Sequence, residues 1–154
     1  GKHSFYEGGI RVPFIALGPA IEPGSVSHVP VSGVDLLPTF ADLAGYPHKL
    51  PSNIDGGSLD SVFANGETGK VVRPNPFLVF HQAVDRSAAS AIRLGDYKLV
   101  KTWKSDKLEL FDLSKDISEA NDLSRRMSSK TQELHRKLTD YLAEVGAETR
   151  RTED

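Results

Sequence analysis

The residues whose types and spacing bear most directly on chemistry stand at the start of this 154-residue chain. Gly1-Lys2-His3-Ser4-Phe5-Tyr6-Glu7-Gly8-Gly9-Ile10-Arg11-Val12-Pro13 is polar, hinged on two adjacent glycines, and runs into the apolar stretch Val12-Pro13-Phe14-Ile15-Ala16-Leu17. A loop of this kind feeding a buried strand is where an α/β enzyme places ligand-contacting groups. Lys2 would act there as a point charge with three donors for an anion; the competing reading is a solvated lysine near a chain end. Other chemistry is less complete. The five histidines, His3, His28, His48, His81 and His135, have no HExxH-like spacing for a metal. His3 and Ser4 are adjacent, and adjacency alone does not make them base and nucleophile. Gly8-Gly9 lacks the spacing of a phosphate-cradling loop. The aspartates are scattered, without a paired-carboxylate signature. Cysteine is absent, which removes disulfides, thiolate metal sites and a thiol nucleophile from these residues. Residue types alone therefore give an α/β fragment with an anion-binding lysine near its start and no full catalytic set.

Composition narrows the partners. The formal net charge is −2 and no long basic block exists, whereas nucleic acid and anionic membranes both require clustered Lys and Arg. The longest apolar run is far short of a membrane span, and no segment has the order of a signal peptide. The length suits one domain with a sizeable core.

The elements that must position these residues are legible from period and punctuation. Ile10 to Leu17 is a continuous apolar run and predicts a strand buried on both faces. Ser32-Gly33-Val34-Asp35 has capping spacing before a helix of about ten residues. Its face is Leu36, Phe40 and Leu43, Gly45 stops it, and Pro38 moves the true cap toward Asp35. Residues 46–57 read as an ordered loop, residues 58–64 as a short helical turn with Leu59, Val62 and Phe63 inward, and residues 65–69 as a turn. A boundary is expected near residue 70, dividing the chain into residues 1–70 and 71–154. Beyond it the period is two. Strands are predicted at Phe77 to His81, Ala88 to Leu94, Tyr97 to Trp103 and Leu108 to Leu113, with Gly95-Asp96 as a hairpin turn. Four such antiparallel strands need cover on one face. A helix capped at Ser129, with Leu134, Leu138, Tyr141, Leu142 and Val145 as its stripe and a Glu133–Lys137 pair outside, supplies it. Gly146 ends that helix, and the charged tail should fray.

Several stretches then resemble one family. Lys2 with Tyr6-Glu7-Gly8-Gly9-Ile10-Arg11-Val12-Pro13 resembles the GK-x-x-x-YEGG-x-R-x-P signature of the sulfatases, the arylsulfatase-type branch of the alkaline phosphatase superfamily. Val31-Ser32-Gly33-Val34-Asp35-Leu36-Leu37-Pro38-Thr39-Phe40 with Leu43-Ala44-Gly45 is similar to the family's V-S-x-V-D-L-L-P-T helix. Asp55-Gly56-Gly57-Ser58-Leu59 resembles its DG-x-S-L turn, and Ile92-Arg93-Leu94-Gly95-Asp96-Tyr97-Lys98-Leu99 its IR-x-GD-(Y/W)-KL hairpin. Leu110-Phe111-Asp112-Leu113-Ser114-Lys115-Asp116 with Glu119, Asn121 and Leu123 is similar to ELYDL-x-x-DP-x-E-x-NL, with Ile117 where proline is usual.

The resemblance implies a C-terminal third: the end of a large alkaline-phosphatase-like α/β domain (residues 1–70), then a small antiparallel sheet with its helix (residues 71–154). It implies a parent that hydrolyses sulfate esters with a formylglycine nucleophile and calcium, both supplied by sequence upstream of the GK pair, and a fragment that is inactive by itself and binds neither cofactor. Lys2 is then the one catalytic residue, contacting the sulfate and the leaving-group oxygen. His81, and more weakly His3, are substrate-binding candidates; Glu7 and Arg11 are read as structural, and no role carries onto Ser105-Asp106-Lys107. The expected partner is a sulfate-ester substrate, with no nucleic acid and no membrane, and family habit places the parent in the periplasm or outside the cell. Two alternatives stay open: a phosphodiesterase or phosphonate hydrolase of the same superfamily, and a non-catalytic binding or structural module. Apolar faces on residues 10–17 and 36–44 that normally pack on a large sheet imply self-association of the fragment.

Overall fold

The computed structural model describes residues 4–83 and 88–149. In chain order the elements are α1 (Glu7–Ile10), a 3-10 turn (Gly33–Asp35) leading into α2 (Leu36–Leu43), α3 (Asp60–Asn65), β1 (Leu78–Gln82), β2 (Ala89–Leu94), β3 (Tyr97–Thr102), β4 (Lys107–Asp112) and α4 (Ser128–Glu144). They fall into two compact units. Pro13–Pro76 form one; the described residues before them, 4–12, join those from Phe77 onward in the other. The boundary therefore lies at residues 76 and 77 rather than near 70, and residues 4–12 group with the later unit instead of with residues 13–70.

In the sheet unit the four strands are antiparallel in the order β1-β2-β3-β4. Gly95, with φ of +59°, makes the β2–β3 turn. Register puts Val79, Ile92, Leu99 and Leu110 in one row across the sheet. Ile92, Leu99 and Leu110 meet Leu134, Leu138 and Leu142 of α4 in a core with no more than 2% exposure at any of the six. The helix thus covers this face as its spacing predicts, and Phe77 meets Tyr141 edge-on at 5.6 Å. Two details differ. The helix starts at Ser128 with Met127 as its cap residue, whose side chain has no oxygen to accept from the first-turn amides, and Thr131 Oγ1 donates to the Ser124 and Met127 carbonyls. Glu133 pairs with Lys130 at 2.8 Å, three residues before it, and Val145 is exposed at the helix end. On the opposite face Ala91, Val100, Phe111 and Leu113 are covered by Phe5 and Phe80.

In the unit of residues 13–76, Asp35 does most of the organising. Its fully buried carboxylate accepts from the amides of Ser32 (2.7 Å) and Gly57 (3.0 Å) and from two nitrogens of Arg73 (2.8 and 2.6 Å). Arg73 also donates to the Pro30 carbonyl at 2.9 Å. Thr39 bonds back to the Asp35 carbonyl and accepts from the Leu59 amide. These bonds fix which side of α2 turns inward, namely Asp35, Pro38 and Thr39. The apolar face, which the resemblance assigns to a large sheet, is not covered: Phe40 and Leu43 are exposed, as is Leu37 beside them, and Leu36 is half-buried. The strand expected over Ile10 to Leu17 does not form either. Ile10 ends α1, residues 11–17 are irregular, and Val12, Phe14, Ile15 and Leu17 are exposed. An apolar run forms a strand only beside a partner ladder, and the described strands pair among themselves.

Gly56 is required by close approach, not by turn chemistry. A Cβ there would stand 1.9 Å from the Val34 carbonyl oxygen, which is backbone and cannot swing aside. Gly56→Ala is expected to destabilise this unit by about 3 kcal/mol, the upper end for overpacking; a urea midpoint equal to that of the unaltered chain would refute the contact.

Candidate functional site

Lys2 and His3 lie outside the described residues. The segment that follows them in the signature is well placed. Phe5 inserts into the Ala91–Val100–Phe111–Leu113 cluster. The Tyr6 ring meets Phe111 at 5.9 Å in an edge-on arrangement, and its hydroxyl donates to Glu109. Burial, the hydrogen bond to Glu109 and the negative charges of Glu109, Glu119 and Asp122 push that phenol above its ordinary range, so it remains a donor at any physiological pH.

Glu7 sits in a buried ion group. Lys98, with no exposure, places Nζ 2.8 Å from Glu7 Oε1 and 2.8 Å from Glu119 Oε1. The first is an aligned hydrogen bond; the second is an ion contact outside hydrogen-bond alignment. The Glu7 backbone amide donates to the other Glu119 oxygen. Residues 6–11 are then closed on themselves by Gly9 and Ile10 amides to the Tyr6 carbonyl and the Arg11 amide to the Glu7 carbonyl. Glu119 has φ of +55°, a conformation that costs a non-glycine residue on the order of 1 kcal/mol or more. Asp116 holds that turn: its carbonyl accepts from the Glu119 amide and its carboxylate from Asn121 and Ser118. Those bonds, led by the Asn121 amide, keep the Asp116 carboxyl below the ordinary carboxylate value.

His81 is on the other side of the sheet, the side facing α4, since it pairs in register with Ser90 and Ser90 with Lys101. Its Nε2 is 3.0 Å from the Glu148 carbonyl, which can only accept, so Nε2 carries the proton. Its Nδ1 then accepts from Ser90 Oγ at 2.8 Å, and Ser90 accepts in turn from Trp103 Nε1 at 2.8 Å. Next in this row, Lys101 is 3% exposed, bonds the Asp106 carboxylate and stands 5.4 Å over the Trp103 ring. His135 is held below its usual value by burial first and by the Lys101 charge second. The two candidate regions therefore occupy opposite faces of one sheet: the segment that carries the signature on one, His81 on the other.

Asp106, at the turn onto which no role was carried, is thus the partner of Lys101. The sequence reading assigns no site role to Lys98 or Glu119, yet the strand pattern carries a signal for Lys98. Tyr97, Leu99, Lys101 and Trp103 share a face, so Lys98 must alternate onto the face of Val100, where a lysine needs a buried counter-charge.

No group of three or more His, Asp or Glu side chains able to hold a metal exists among the described residues. No described helix is long and apolar enough to cross a membrane.

Comparison with known proteins places this geometry. Residues 1–148 match the family model described as N-sulphoglucosamine sulphohydrolase, C-terminal. The chain is 34% identical over 146 residues to human arylsulfatase K, covering 89% of this chain and 26% of that protein. It is 34% identical over 155 residues to a sulfatase of Formosa agariphila, covering 92% and 28%. It thus spans about a quarter of the length of these curated relatives. Among solved structures, a candidate sulfatase of Bacteroides thetaiotaomicron superposes with a TM-score of 0.71 at 30% identity, over 92% of this chain and 31% of that one. An enzyme in complex with its substrate D-glucosamine-2-N,6-O-disulfate superposes at 0.64 and 27% identity, over 80% and 26%.

Proposed function

We propose, from the premise that this chain belongs to the sulfatase family as a C-terminal portion of it, that the whole protein hydrolyses sulfate esters on a sugar and that this portion contributes Lys2. The observation that carries the reading is the family match over residues 1–148, which takes in the Lys2 signature. Support for a sugar comes from similar solved proteins, one bound to a disulfated glucosamine and one to a neocarrahexaose.

The role of Lys2 follows from charge. Cleavage of a sulfate ester builds negative charge on the ester oxygen, and a fixed ammonium beside that oxygen stabilises the transition state more than the ground state. A compact ammonium suits this task better than a planar fork. The reading includes a formylglycine nucleophile and calcium supplied by other sequence. Among the described residues no group of three or more acidic or histidine side chains is placed to hold that calcium. His81 carries no part of the proposal, since both ring nitrogens are already bonded.

The test is sulfate release by the full-length protein containing this chain, with an aryl sulfate and with N-sulfated glucosamine as probes. Lys2→Ala is expected to lower kcat by about 10²–10³-fold, the scale for losing one donor to a developing oxyanion. The 154-residue chain alone is expected to release none. Turnover of phosphodiesters without sulfate release, or indifference to Lys2→Ala, would sink the reading.

A further inference from the structure

We propose that Lys98 is a positioning residue, whose ion group with Glu7 and Glu119 fixes the stem from which the chain leads to Lys2. This rests on the sulfatase reading for the meaning of Lys2, but its structural half stands independently. Three separated stretches meet at one ammonium: the Tyr6-Glu7-Gly8-Gly9 turn, strand β3, and the turn after β4. Lys98 is wholly buried, and Glu7 and Glu119 have side-chain exposures of 9% and 3%. Burying three charges is a poor way to gain stability, since an apolar group of like volume does at least as well. What such a group provides is one geometry, because each charge tolerates few alternative positions. Here that geometry includes the backbone: the Glu7 amide donates to the same Glu119 carboxylate that faces Lys98. The ammonium therefore sets the backbone of residue 7, and the Arg11 amide and Glu7 carbonyl pass that setting along α1. Phe5 and Tyr6 hold the segment against the sheet by apolar contact and one hydrogen bond. Those contacts allow sliding; the ion group does not.

The experiment compares Lys98→Met, Glu119→Gln and, as a control of matched destabilisation, Leu99→Ala, which empties the helix side of the same strand. Hydrogen exchange is read on the 154-residue chain at the Glu7, Gly9, Ile10 and Arg11 amides and, separately, along β2 and β3. Lys98→Met is expected to speed exchange at residues 7–11 by tenfold or more relative to β3, with Glu119→Gln intermediate and Leu99→Ala without this selectivity. Uniform loss of protection in Lys98→Met, matching Leu99→Ala, overturns the proposal. If Lys98→Met does not fold, Glu119→Gln decides by the same criterion, because it keeps an acceptor for the Glu7 amide. In the full-length protein, Lys98→Met is expected to lower kcat for sulfate release tenfold or more with KM changed less than threefold. A wild-type protein that releases no sulfate would defeat the sulfatase reading and leave the exchange result to judge the clamp.

Discussion

Asp35→Ala is expected to unfold residues 13–76 under conditions in which the unaltered chain is native. The substitution strips acceptors from two backbone amides and from Arg73, whose side chain is only 11% exposed. Removing one partner of a buried, hydrogen-bonded ion pair costs about 3–5 kcal/mol, because the other charge stays behind without compensation. That is a large part of what a small unit possesses. Arg73→Met should cost less, since the carboxylate keeps its two amide donors. The double variant should be less destabilised than the sum of the singles, the signature of direct coupling.

The same carboxylate gives a pH dependence with a definite sign. Burial raises the Asp35 carboxyl, but the Arg73 hydrogen bonds and the Gly57 and Ser32 amides outweigh it, and the net displacement is below the ordinary 3.8. A depressed folded value means the unfolded chain binds the proton first. The stabilisation is present above the unfolded value near 4 and is lost as pH falls through the folded value. Acid unfolding followed by circular dichroism should show that loss, and Arg73→Met should shift the midpoint upward. An unchanged acid midpoint in Arg73→Met would count against this assignment.

Leu138→Ala is the second large effect, in the sheet unit. Leu138 has no exposure and stands among Ile92, Leu99, Leu110, Leu134 and Leu142. Deleting a buried leucine to alanine costs about 2–5 kcal/mol, toward the upper end where neighbours cannot collapse, and a sheet backed by a single helix has little freedom to do so. The sole tryptophan, Trp103, lies in this unit, hydrogen-bonded to Ser90. Its fluorescence should therefore report Leu138→Ala as a clear fall in denaturant midpoint. Asp35→Ala should leave that midpoint near its original value; a matching fall in both variants would mean that the two units unfold as one.

The later half of the fold was readable because its signals are local. Alternation from Leu78 to Asp112 gave the strands, Gly95-Asp96 gave a turn, and the spacing of Leu134, Leu138 and Leu142 gave the covering helix. The earlier half was less legible, because a polar network rather than the apolar pattern fixes what turns inward. Leu36, Phe40 and Leu43 spell a helix face, yet Asp35 and Thr39 hold that helix by their own bonds and turn another side inward. The run from Val12 to Leu17 has strand composition, but strand formation belongs to a pair, and nothing in a single sequence names the partner. The candidate site divided similarly. The signature around Tyr6-Glu7-Gly8-Gly9 was visible as a motif; that Glu7 would answer to Lys98 and Glu119 was not, since the contact spans 91 residues on one side and 112 on the other.

That separation has a consequence for when the segment can acquire its shape. Residues 5–7 leave the ribosome before the surface they pack on, which is completed only when Glu119 has been made, after the whole of residues 13–76. At about 5–20 residues per second the interval is roughly 5–20 s. Throughout it, Phe5, Tyr6 and Glu7 have no sheet to bind, while the intervening unit already possesses its own internal staple in Asp35 and Arg73. Within this stretch the order of synthesis is thus the reverse of the order of assembly: residues 5–7 are translated well before the surface that fixes them, and a chaperone that holds this segment during translation would act at this step.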